Sequence, residues 1–81
     1  MIVRLVLWRL DETTPSFAEL RGRLDEIEPL ASPGALLVNE AAERVGALVV
    51  TDDEVELPPQ LEALRLLVGR EPDVYEEFDT L

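Results

Sequence analysis

The sequence contains no cysteine and no histidine, and its seven basic residues are all arginine, so lysine is missing too. Without cysteine there are no disulfides, and cysteine usage says nothing about the redox compartment. The commonest general base, the thiolate nucleophile and the Schiff-base amine are all absent. A Ser-His-Asp triad cannot be assembled, nor can a zinc site of the Cys and His type. No glycine-rich phosphate loop is present. Asn39 and Gln60 are the only side-chain amides, and Trp8, Phe17, Tyr75 and Phe78 are the only aromatics. No apolar run approaches the ~20 residues of a membrane span. The opening Met1-Ile2-Val3-Arg4 lacks a basic region ahead of a long apolar stretch, so a cytoplasmic protein is expected.

Charge of one sign dominates what remains. Eighteen acids against seven bases give a formal net charge of −11. Such a field repels phosphate backbones and anionic lipid surfaces, so neither nucleic acid nor membrane is an expected partner. The acids Asp52, Asp53, Glu54 and Glu56 fit no calcium loop and enclose no glycine for its sharp turn. They read as a solvated connection, as do Glu76, Glu77 and Asp79, which also suit an edge strand that must not pair. No metal site and no cofactor are expected. Eighty-one residues, 47% of them apolar, suffice for one domain with one core. A domain of this size buries only about two-thirds of the surface its unfolded chain exposes.

Along the chain, Ile2 to Leu10 is an apolar run broken only by Arg4 and Arg9, and reads as a strand. A helix follows near Pro15, started either by Thr14 ahead of Pro15 or by the capping box Ser16-Phe17-Ala18-Glu19. Phe17, Leu20, Leu24 and Ile27 form its apolar stripe. Glu19 with Arg23, and Arg21 with Asp25, are spaced for mutual support on the wet side. Pro29 stops the helix by about Glu28. Ala35 to Ala41 and Arg44 to Thr51 read as a hairpin turning at Ala42-Glu43, and Gly46 marks a bulge or a close approach. Pro58 or Pro59 opens a second helix with Leu61, Leu64, Leu67 and Val68 inward, closed by Gly69 and Pro72. Asp73 to Leu81 reads as a last strand at a sheet edge. The order is β-α-β-β-α-β, the ferredoxin-like arrangement of the α+β class, with two helices on one face of a four-stranded antiparallel sheet.

Such a sheet should alternate apolar inward and polar outward, and here it does not. Val3, Leu5 and Leu7 make one face of the first strand. Ile2, Val6 and Trp8 make the other, with Arg4 among them. A helix-free face this apolar points to an interface, for which a two-fold homodimer is the commonest solution. Trp8 and its neighbours are taken as that open patch, unless a terminus or the acidic connection shields them. Arg4, Trp8, Asn39 and Tyr75 are the candidate site residues. They line either a largely apolar cavity with a few polar groups, suited to a small apolar ligand, or the interface itself, where Trp and Arg are enriched.

The opening Met1 to Arg9, the helix with Phe17 and Leu20, Pro33-Gly34 ahead of the second strand, and the closing Val74-Tyr75-Glu76 resemble the dimeric α+β barrel superfamily, in particular its antibiotic-biosynthesis-monooxygenase-like branch. The resemblance implies a homodimer that stacks two ferredoxin-like sheets face to face. The group spans cofactor-independent oxygenases, haem-degrading enzymes, isomerases and ligand-binding modules. The sequence departs from its enzymes in having no His for a haem, and Thr51-Asp52-Asp53 where an aromatic residue often precedes the second helix. Three functions follow as expectations. The missing His, Cys and Lys favour a non-catalytic small-molecule-binding or accessory module. The resemblance offers a cofactor-independent monooxygenase or isomerase acting on an aromatic polyketide-type substrate. The apolar face offers a protein-interaction subunit.

Overall fold

A computed structural model describes residues 1–52 and 57–80. Its elements are β1 (Ile2–Arg9), α1 (Phe17–Leu24), β2 (Ala35–Asn39), β3 (Arg44–Thr51), α2 (Pro59–Val68) and β4 (Val74–Asp79). The four strands form one antiparallel sheet in the order β2-β3-β1-β4. This is the ferredoxin-like arrangement expected from the order of elements.

Local chemistry sets the boundaries. Ser16 caps α1, its hydroxyl accepting from the Glu19 amide at 3.2 Å, so the helix starts after Ser16 and not at Pro15. Thr14 is occupied elsewhere: its hydroxyl accepts from the Asp11 amide and donates to the Asp11 carbonyl, shaping the loop before the helix. α1 ends at Leu24, short of Glu28. The Glu26 and Ile27 amides reach back three residues to Arg23 and Leu24, tightening the last turn and leaving Ile27 packed on the core from outside the helix. The Glu19–Arg23 and Arg21–Asp25 pairs do not form; Asp25 is instead the C-terminal cap. α2 has proline at its start and Gly69 in the left-handed region (φ 86°) at its end.

The β2–β3 hairpin turns earlier than its composition suggests. β2 stops at Asn39, whose side-chain oxygen accepts from the Ala42 amide at 3.0 Å. Such an Asx-type bond gives the backbone an alternative to the ladder. The turn then closes through Glu43, held at φ 51°, with its amide on the Glu40 carbonyl. Ala41 is therefore in the turn, not in the strand.

The core lies between the helices and one face of the sheet. Val6 and Trp8 from β1 and Val45, Ala47 and Val49 from β3 meet Phe17, Leu20 and Leu24 of α1 and Leu61, Leu64 and Val68 of α2. This corrects the expectation for Trp8. Its face is the one the helices cover, and the residue is 1% exposed. The indole fills the core at full size because its N–H finds the Arg70 carbonyl at 2.9 Å, leaving no polar atom unmet. Arg70 ties that corner down further. Its guanidinium donates to Asp11 at 2.9 Å, to Thr13 at 3.1 Å and to the Arg9 carbonyl. The Thr13 hydroxyl, then Arg70, hold the Asp11 carboxyl down to about 2. Among the described residues, no helix is long and apolar enough to cross a membrane.

Candidate functional site

Two features of the surface stand out: a cleft on the covered side and the sheet face opposite.

The cleft is about 340 Å³ and lies where α2 overhangs β1 and β4. Val6 and Trp8 form its back wall, Leu61 and the prolines Pro58, Pro59 and Pro72 its sides, and Tyr75 one lip. Glu62, Arg65 and Glu71 stand on the other lip, where Arg65 bonds Glu62 at 2.9 Å and approaches Glu71 at 3.6 Å. The volume falls within the range of small-molecule sites, and the mixture of apolar walls with a few polar groups is what such sites use. Tyr75 reaches the cleft because β4 is an edge strand, where it pairs with Val6 and remains 45% exposed.

Beside the cleft lies a charge cluster built on one buried arginine. Arg4, 4% exposed, sits on the covered face between Val49 and Glu77. Its Nε donates to Glu77 at 3.1 Å and its Nη1 to the Thr51 hydroxyl at 3.0 Å. The Tyr75 hydroxyl donates to the same Glu77 oxygen at 2.9 Å. These contacts shift all three groups away from neutral pH. The Glu77 bond raises the Arg4 pKa, bonds from Tyr75 and Arg4 hold Glu77 below the ordinary carboxylate range, and burial, with the Glu77 bond, raises Tyr75. The cluster therefore holds a cation, a carboxylate and a neutral phenol, and none of the three is poised to exchange a proton near neutral pH.

Of the four residues singled out in the sequence, Arg4, Trp8 and Tyr75 converge on this side of the molecule. Asn39 does not, being spent on the hairpin turn. The lining from α2 carried no distinguishing signal in the sequence, because Pro58, Leu61 and Arg65 read there as an ordinary amphipathic helix. Of the acidic connection, Asp52 is exposed, while Asp53, Glu54 and Glu56 lie outside the described residues.

The opposite face of the sheet has no helix over it. Reading across the strands, Leu37, Gly46, Leu7 and Val74 form one row. Ala35, Leu48, Leu5 and Glu76 form the next, and Val50, Val3 and Phe78 the third. Glu76 is the single charge in these rows. Phe78 is 49% exposed, and Val3, Leu5, Leu7, Leu37, Leu48, Val50 and Val74 are each half-buried by their neighbours alone. The greasy face inferred from the failed alternation is therefore present, but it belongs to Val3, Leu5 and Leu7 and not to Trp8.

No protein-family model matches the chain, and no curated protein is significantly similar to it.

Proposed function

We propose that the protein is a homodimeric, non-catalytic binding or accessory module, in which two copies bury their open sheet faces against each other and each α2–β4 cleft takes a small apolar ligand. The open face carries this reading. A contiguous apolar surface across four strands is uncommon on a monomer that must stay in water, and a domain this small gains much from borrowed burial. The Arg4, Glu77 and Tyr75 cluster supports binding over catalysis, since its one carboxylate is already engaged by two donors and held below the ordinary carboxylate range, which weakens it as a base.

Sedimentation across a wide concentration range tests the dimer. The wild-type chain is expected to run as a dimer. Leu5→Glu, at the centre of the open face, should yield a folded monomer with self-association weakened about a hundredfold or more, because each copy would bury an unpaired carboxylate at the contact. A wild-type monomer, or a Leu5→Glu dimer as tight as wild type, sinks the interface. For the cleft, titration with cyclohexanol, which neither absorbs nor emits where tryptophan does, should change Trp8 emission, and Leu57→Arg on the exposed part of the lining should weaken that change. Unaltered emission at millimolar cyclohexanol counts against the ligand site.

A further inference from the structure

Arg9 and Arg44 face each other directly across the β1–β3 ladder, one row beyond Leu7 and Gly46 on the open face. Both are exposed, and neither guanidinium makes an ion pair among the described residues. Arg9 does lie near Asp73, but that carboxylate already accepts from the Arg9 amide at 2.7 Å and from Arg70 at 3.3 Å. Like charges placed opposite one another on neighbouring strands are unfavourable. Arg4, Arg65 and Arg70 have carboxylate partners. Arg21 and Arg23 on α1 form no ion pair among the described residues either, but only Arg9 and Arg44 are set directly opposite each other on neighbouring strands. The open face also carries acids away from the arginines. Glu76 stands on its β4 edge in the middle row, opposite Leu5, and Asp52 directly follows β3 at the end away from the arginines. Both are exposed and, like the arginines, form no ion pair among the described residues.

We propose that this polarity sets how the second copy docks: Arg9 and Arg44 of each chain lie against the carboxylates of Glu76 and Asp52 on the other, so the two sheets never stack with their arginine ends together. This rests on the dimer proposed above and adds its orientation. A two-fold axis parallel to the strands would gather four guanidinium groups at one end of the interface. Turning the partner across the strands replaces that repulsion with attraction, the usual way charges at an interface fix register. The apolar rows supply the affinity in either orientation, and the charged residues choose between them.

The test is sedimentation equilibrium on the full chain, with folding of each variant checked by circular dichroism. Two double variants are used, Arg9→Glu with Arg44→Glu, and Glu76→Arg with Asp52→Arg. Each alone should self-associate about tenfold or more weakly than wild type, and their equimolar mixture should form a heterodimer within about threefold of wild-type affinity. Arg21→Glu with Arg23→Glu changes the net charge equally but lies on α1, so it should leave the dimer unchanged. Should the arginine variant misfold, Arg9→Gln with Arg44→Gln replaces it and should fall between wild type and the reversal. A wild-type dimer that tolerates the reversals, or a mixture that recovers nothing, overturns the orientation while the dimer stands. A wild-type monomer overturns the dimer itself.

Discussion

Trp8→Ala should cost the domain about 3–5 kcal/mol, a large share of its total stability. The indole is 1% exposed, in contact with both helices' contribution to the core, and its N–H bonds the Arg70 carbonyl. Removing a buried tryptophan side chain costs about 3–5 kcal/mol in lost transfer energy and residual cavity. A chain of this length has roughly 4–12 kcal/mol in total, at ~0.05–0.15 kcal/mol per residue. Trp8→Phe should keep most of the packing and lose the hydrogen bond, a smaller step of about 1–3 kcal/mol for the carbonyl left unmet. Urea denaturation followed by far-ultraviolet circular dichroism separates the two variants. A Trp8→Ala protein as stable as Trp8→Phe would mean that the indole is not filling the core. Trp8 is therefore a poor probe of self-association, since its loss weakens the core and the residue lies on the face away from the proposed interface.

The second large effect is expected at Gly46, where a single added methyl group should destabilise the sheet by about 3 kcal/mol. A Cβ at this position would come within 2.2 Å of the Val6 carbonyl oxygen and 2.6 Å of a Leu7 methyl group. The first of these neighbours is the backbone of the central strand, which cannot move without breaking its ladder to β4. Gly22→Ala is the matching control. Nothing lies within 4 Å of its added carbon, and in the interior of α1 the change should stabilise by about 0.5–1 kcal/mol. Thermal melts of the two variants should shift in opposite directions. A Gly46→Ala protein that melts with wild type would show that β1 and β3 are not held this close in solution.

The contrast between these glycines shows what the sequence could disclose. Gly46 interrupting a run of Val, Leu and Ala was legible as a bulge or a close approach, although which of the two depends on where Leu7 falls across the ladder. Gly69 followed by Pro72 announced the end of α2, because few other residues take a left-handed cap cheaply. Ser16 and Thr14 competed for the start of α1, and composition could not separate them, since the outcome turned on Thr14 bonding Asp11 in the loop. The strand was drawn too long because Glu40 and Ala41 continue it without a break in composition, and only the Asn39 side chain, accepting from the Ala42 amide, marks where the turn begins. The side of the sheet taken by the helices was the costliest ambiguity. Both faces of β1 are apolar, and Arg4 made its own face look like the wet one. Glu77, Thr51 and the β1–β4 register supply Arg4 with partners, and no periodicity within β1 can reveal residues 47 and 73 positions away.

That same register governs how the domain is reached from the unfolded chain. β1 is one of the two inner strands and the earliest in sequence, yet its partners come late: Ile2 pairs with Thr51 on one side and with Asp79 on the other. Contacts of such separation close large loops before any stabilisation is returned, which places folding toward the slow end of the small-domain range, nearer milliseconds to seconds than microseconds. During synthesis the run from Ile2 to Leu7 must wait, unpaired on one edge, until Val74 to Asp79 have been made. The acids spread through the rest of the chain are then its protection, keeping neighbouring nascent copies apart while the most aggregation-prone segment has no strand to join.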